Sequence, residues 1–176
     1  CTYKKVSYFC DGFAAVIDQM DMSYFIDTEG NKAIATNKDG GYTEFGMVSD
    51  GLMTAILNGK YIYLDKSFNR LFGDYDFATA MNKVAAVRNG DSWEIIDGNG
   101  KNVGDKKYLD VIIDENGYAC RKNRLFVKDK GGYRMLDGEG NMVSDQVFED
   151  ARLFSFGTLA AVKVNNKWGF VDQSGN

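Results

Sequence analysis

The chain has 176 residues, 44% hydrophobic and 26% charged, an ordinary balance for a globular protein. Its net charge of −4 argues against a nucleic-acid binder, which presents a basic face, and no apolar run approaches the roughly 18 residues that a membrane-spanning helix needs. Histidine is absent, which removes the usual general base, the commonest metal ligand and every Ser-His or Cys-His nucleophile pair.

Cys1 admits two readings. It fits the lipid-bearing first residue of a mature bacterial lipoprotein, or the chain simply begins there, since the repeat described next starts at Tyr3 with no flexible spacer. Cys10 and Cys120 sit beside apolar residues and are expected to be small buried hydrophobes, because three sparse cysteines make no disulfide framework.

From Tyr3 onward one pattern is written five times. Each unit opens on an aromatic lead-in, Tyr3, Tyr42, Tyr75, Tyr108 or Phe148, followed three residues later by Val6, Phe45, Ala78, Val111 or Ala151. That spacing reads as a packing element, a turn or short helical twist between sheets. A first hairpin strand is expected at 13–16, 52–55, 84–87, 118–121 and 159–162, rich in small residues that let backbones approach closely. A tight turn follows. Asn58-Gly59 and Asn89-Gly90, with Asn165-Asn166 in the same place, carry the hairpin signal of a type I′ turn, which needs positive φ at both central residues.

The second hairpin strand ends on an anchoring carboxylate, Asp27, Asp65, Asp97, Asp137 or Asp172. The residue before it is Ile26, Leu64, Ile96, Leu136 or Val171, and the one before that Phe25, Tyr63, Ile95, Met135 or Phe170. Consecutive strand residues point to opposite faces, so this strand is apolar on both and must be covered on both. Three residues after the Asp stand Gly30, Phe68, Gly100, Gly140 and Gly175. Asp-x-x-Gly is a type I turn signature, and Phe68 predicts a differently shaped turn or a small apolar plug in the second unit. A third strand is expected after the turn, as at 32–35 and 141–143. In the fourth unit, 122–132 reads as an insertion in the hairpin, either a plain longer loop or part of a binding face.

The expected fold is all-β: tandem three-stranded antiparallel β-meanders packed face to face, as an open twisted array or as a small five-bladed propeller. The units fall at approximately 3–41, 42–74, 75–107, 108–147 and 148–176, in one array-like domain. The fifth is expected to lack its third strand, as in a piece of a longer array. Units of about 36 residues are short for a four-stranded propeller blade, which favours the open array. Proline is absent, so every backbone N–H is able to join a ladder.

The residues Leu159-Ala160-Ala161-Val162, Asn166-Lys167-Trp168-Gly169-Phe170-Val171-Asp172 and Gly175 resemble the WG-repeat (KWG-type) family of bacterial proteins. The resemblance covers the whole chain in degenerate form. Trp93 is followed by Glu94 rather than Gly, the other units carry Tyr61-Ile62, Tyr133-Arg134 and Ser23-Tyr24, and the family's Pro-rich stretch is missing. What the resemblance implies is an all-β repeat protein, often exported or surface-associated, whose repeated residues are structural: the five Asp anchors, Trp93 and Trp168. It implies no catalytic residues.

Chemistry is therefore sought where the copies differ. The column Tyr24, Ile62, Glu94, Arg134 and Gly169 varies in size and charge, which marks either a tolerant exposed face or a binding surface; Tyr24, Glu94 and Arg134 are its candidate binding residues. The turns at Asp97 and Asp137 lack the further oxygen ligands of a calcium loop, so no metal or cofactor is expected. Glu29, Asp91, Glu94 and Glu139 offer no singled-out carboxylate pair for glycoside hydrolysis. The functional expectation is a non-catalytic binding or scaffolding module of an exported bacterial protein, with a protein or glycan partner and a lipid anchor at Cys1 under the lipoprotein reading. A passive spacer within a longer repeat protein is the alternative, followed by a carbohydrate-active enzyme.

Overall fold

The computed structural model describes residues 2–35, 41–155 and 157–176; Cys1 and the lipid-anchor expectation placed on it lie outside them. Among the described residues the chain is all-β, with seventeen strands and no helix. It divides into two compact units, Cys1–Met81 and Asn82–Asn176.

The first unit holds β1 (Tyr3–Val6), β2 (Phe13–Asp18), β3 (Ser23–Asp27) and β4 (Lys32–Ala35), paired in that order, then β5 (Tyr42–Ser49), β6 (Leu52–Leu57), β7 (Lys60–Leu64) and β8 (Arg70–Tyr75), also in order, and the short β9 (Phe77–Ala78). All of the pairings within these two four-stranded sheets are antiparallel. Their facing sides close a shared core. Phe25 and half-buried Phe13 and Ala15 of the first sheet meet Phe45, Met53, Ala55, Ile62 and Leu64 of the second.

The second unit holds the hairpin β10 (Val84–Asn89) and β11 (Ser92–Asp97), then β12 (Asp110–Val111), β13 (Arg124–Asp129) and β14 (Gly132–Asp137), and finally β15 (Asp150–Ala151), β16 (Ala160–Val164) and β17 (Lys167–Val171). Phe126, Tyr133 and Met135 of the fourth sheet pack on Ala151, Ala160 and Val162 of the fifth and on Phe148, whose backbone bridges to Tyr133. Face-to-face burial of apolar columns thus holds each unit together, as the two-sided strands require.

Three expectations are corrected. The lead-in is neither a turn nor a helical twist. It is a strand, β1, β5, β9, β12 or β15, and in four of the sheets it pairs antiparallel with the first hairpin strand. Without that pairing the hairpin's outer backbone groups would be unsatisfied beside the core. The unit is consequently a four-position sheet rather than a three-stranded meander. Its last position is a full strand at β4 and β8 but shrinks to single bridges at Ile96–Asn102 and Leu136–Met142.

In the fourth sheet the first hairpin strand is β13, not residues 118–121. Leu125, Phe126 and Val127 are fully buried and pair with Leu136, Met135 and Arg134. The stretch 122–132 is therefore strand and turn, and the extra chain of this unit lies upstream. The turn at Phe68 also keeps the common shape. The Phe68 N–H donates to the Asp65 carbonyl (2.9 Å), and Asp65 Oδ1 accepts the amides of Ser67 and Asn69. The plug expectation holds, since the ring packs on Phe13 and Phe25 at 5.6 and 6.0 Å.

Two of the three hairpin turns fall on the residue pairs expected from the sequence, and the Asn89-Gly90 turn is shifted by one residue. Asn58 and Gly59 (φ +52° and +76°) and Asn165 and Asn166 (+50° and +61°) are type I′ pairs. In β10–β11 the two loop residues are Gly90 and Asp91, and positive φ falls on Gly90 (+57°). Cys120 is buried, and Cys10 is half-buried against the first unit's core.

Candidate functional site

The upstream extra chain of the fourth repeat builds a site within the second unit. Asp114-Glu-Asn-Gly117 is a further Asp-x-x-Gly turn that the repeat alignment passed over, although the motif is plain in the sequence. The Gly117 N–H donates to the Asp114 carbonyl (3.0 Å), and Asp114 Oδ1 accepts the amides of Asn116 (3.0 Å) and Tyr118 (2.9 Å). That leaves Oδ2 to accept the Arg121 Nε–H at 2.6 Å, while the Arg121 guanidinium lies 3.8 Å from the Tyr118 ring centroid. The ion pair is only about a quarter exposed.

Arg121 is held from its other side as well. Its backbone pairs both ways with Arg124 across Lys122 and Asn123, which have φ of +52° and +60°, a two-residue turn with positive φ at both positions. Asn123 Oδ1 accepts the Gly138 amide at 3.1 Å, tying this turn to the one after β14. Asn82 Nδ2 donates to the Cys120 carbonyl (3.1 Å).

Between these turns and the segment after β15 lies a cleft of about 550 Å³, with an apolar wall from Ile112, Ile113, Leu153 and Phe154 and a charged mouth from Asp114, Glu115, Arg121, Lys122 and Arg152. Its volume falls in the range of small-ligand or side-chain pockets. Apolar wall plus a few fixed polar groups suits recognition of an amphipathic segment. Among the described residues no cluster of three metal-ligating side chains forms, and no helix is long and apolar enough to cross a membrane.

The sequence candidates lie elsewhere, on separate strands. Tyr24 of β3 is half-buried, edge-on to Tyr3 at 6.2 Å, with the Lys32 ammonium 4.2 Å from its ring. Burial, with Tyr3 and Asp18 nearby, pushes its phenol up. Glu94 of β11 accepts from Asn102 Nδ2 (2.9 Å) and faces Lys107 (3.5 Å). Arg134 of β14 donates to Asp129 (3.2 Å) and the Asp145 carbonyl (3.1 Å). Burial would raise the Asp129 carboxyl, but the amides of Gly131 and Gly132 and the Arg134 charge outweigh it and hold it low.

Each candidate is thus engaged with partners close to its own sheet. The column they share is not uniformly exposed either, for Ile62 is fully buried while Gly169 is open. Two of the carboxylates weighed for hydrolysis are likewise engaged, Glu29 accepting from Asn31 Nδ2 two residues on and Glu139 from Lys83 in the preceding repeat. Of the tryptophan anchors, Trp93 is buried and its backbone pairs both ways with Tyr108, whereas Trp168 is half exposed.

No family model matches the chain, and no curated protein matches it either. Solved structures do. Kluyveromyces lactis Hsv2 superposes at a TM-score of 0.57 and 10% identity, covering 97% of this chain and 62% of its own. BamB from Moraxella catarrhalis superposes at 0.48 and 12% identity over 94% of this chain and 57% of its own, too distant to bear on the fold. The chain therefore spans about three fifths of the length of the Hsv2 chain it matches. Hsv2 is a β-propeller, and the likeness of these small antiparallel sheets to it is consistent with a propeller-type fold, with no number of blades fixed by it.

Proposed function

We propose that the chain is a non-catalytic binding module of WG-repeat type, carried by an exported bacterial protein, and that its partner is a protein segment bound at the Asp114–Arg121 cleft. The single observation that supports this reading is the cleft itself: an apolar wall beside an ion pair whose two members are each held by further contacts. Pre-organised polar groups flanking apolar surface give a binding segment orientation without a large ordering cost. The repeat scaffold supplies rigidity, and the irregular chain between β12 and β13 supplies the difference between copies, which is where repeat proteins carry recognition. Surface location belongs to the same proposal.

The test is retention of proteins from a bacterial envelope lysate by the immobilised chain, with Glu115→Lys and Lys122→Glu compared against the unaltered chain. Both residues sit at the rim and leave the Asp114–Arg121 pair in place. A protein retained by the unaltered chain and lost from both variants is the expected result. Retention indifferent to both sinks the cleft as the site. A glycan array run in parallel separates the glycan partner, and silence in both assays leaves the passive spacer ahead.

A further inference from the structure

The two faces of the fifth sheet are treated differently. Its inner face, with Ala160, Val162 and Val171, is buried in the core shared with the fourth sheet. The opposite face carries Trp168 and Phe170, which are 50% and 70% exposed, and the equally open Leu159 at its edge. Register shows what that face should be. Phe126 pairs with Met135 and Lys128 with Tyr133 in the fourth sheet; Ala161 pairs with Phe170 and Lys163 with Trp168 in the fifth.

Phe170 therefore occupies the position of Met135, and likewise of Phe25, Tyr63 and Ile95, which are all at most 1% exposed. The aromatic–cation cross-strand pair repeats too. Arg88 faces Trp93 in β10–β11, Lys128 lies 5.2 Å from the Tyr133 ring, and Lys163 is paired with Trp168. Trp93 and Tyr133 are buried; Trp168 is covered only in part, by the Arg152 guanidinium at 4.9 Å.

We infer that this outer face of the fifth sheet, centred on Phe170 and Trp168, is a docking face for a further β-sheet bearing the repeat's own chemistry. The occupant is defined by the interfaces already present. Against Met135 and Phe126 stand an aromatic lead-in, Phe148, a small hydrophobe three residues on, Ala151, and the Ala160 and Val162 pair of the hairpin strand. Against Phe25 stand Phe45, Met53 and Ala55 from the corresponding strands, with Phe25 and Phe45 centroids 4.7 Å apart. The same face in the same register takes the same kind of cover. Contiguous exposed aromatic surface of this sort marks an interaction site. This inference is independent of the cleft.

The experiment appends to the full chain a copy of its residues 142–176 after Asn176. Asn176 follows Gly175 as Asn141 follows Gly140, so the added sheet arrives in phase. The copied tryptophan carries Trp168→Phe, leaving the original Trp168 as reporter over a constant Trp93 background. The expected result is a shift of Trp168 emission to shorter wavelength, with acrylamide quenching of that residue reduced by about half, as burial of an exposed ring requires. Both effects vanish in the extended chain with Phe170→Asp. Emission and quenching unchanged by the extension overturn the inference, and disorder of the added sheet counts the same way, since this face is what it has to fold on. Concentration-dependent protection of Trp168 in the 176-residue chain also overturns it, because the face would then take a second copy.

Discussion

Phe68 stands edge-on to Phe13, ring centroids 5.6 Å apart, from a backbone position with φ of +64°. The other four copies of that turn place Gly there, and all four have positive φ. A phenylalanine in the left-handed region is strained by about 1–2 kcal/mol. The ring's contacts with Phe13 and Phe25 offset that strain, so an unfavourable local conformation is retained for core packing.

Two substitutions separate these terms. Phe68→Ala loses the packing and keeps a Cβ at positive φ, so it is expected to destabilise the first unit by about 2–3 kcal/mol. Phe68→Gly loses the same packing but relieves the strain, and should cost about 1 kcal/mol less than Phe68→Ala. Urea unfolding of the three chains checks the order. A Gly variant less stable than the Ala variant would show that the left-handed strain is absent.

The Asp turns make stability depend on acid. The Asn31 amide, with the Asn31 side chain and the Glu29 amide, holds the Asp27 carboxyl below its ordinary value. The Asn69 side chain and amide do the same for Asp65. A carboxyl lowered in the folded state contributes stability that is fully present above the unfolded value, 3.8, and is lost as pH falls through the folded one. Thermal midpoints should be level above pH 5 or so and fall below about pH 4. In the double variant Asp27→Asn, Asp65→Asn the acid slope should be shallower. An identical slope would assign the acid sensitivity to other groups.

Gly132 marks where two backbones meet. Its φ is +135°, and a Cβ there would stand 2.8 Å from the Phe148 carbonyl oxygen and 2.7 Å from Val147 Cγ1. Gly132→Ala is expected to cost about 3 kcal/mol or more, from backbone strain and a clash with main chain that cannot swing aside. Gly98→Ala, with nothing near its Cβ position, should change stability by less than about 0.5 kcal/mol. Comparable losses in both variants would contradict the close approach of β14 to the fifth repeat's lead-in.

Tyr63 fixes β7 to the chain beyond β9. Its hydroxyl donates to the Thr79 carbonyl at 2.7 Å inside the first unit, and burial pushes its phenol far above the ordinary range. Tyr63→Phe should cost about 1 kcal/mol while leaving the fold intact. In an alkaline ultraviolet titration the native chain should hold back tyrosines that the unfolded chain ionises at the same pH, Tyr63 through burial and Tyr133 through burial and its hydrogen bond to Asp110. Titration of Tyr63 with the exposed tyrosines would sink the buried hydrogen bond.

The hairpins and Asp turns were legible because they are local. An Asp whose carboxylate accepts amides two and four residues on needs nothing distant, and Asn-Gly meets a positive-φ requirement by itself. The same reading misplaced the fourth hairpin. Tyr118, Ala119 and Cys120 copy the small-residue pattern of a first strand, yet Leu125, Phe126 and Val127 take the pairing because they match Met135 and Leu136 across the core. Pattern alone does not distinguish buried irregular chain from buried strand.

By itself, the sequence determined the all-β class, the repeated sheet, its turns and the apolar columns on both faces of the strand before each Asp. These depend on contacts within a few residues, which side-chain alternation and backbone preference dictate. Only the tertiary structure decided which columns are covered. It buries Ile62 and exposes Phe170, makes the lead-ins strands, and brings Asp114 and Arg121 of one loop beside Leu153 and Phe154 of the next repeat. Burial is a property of what packs against a face, and that partner lies a whole repeat away in the chain.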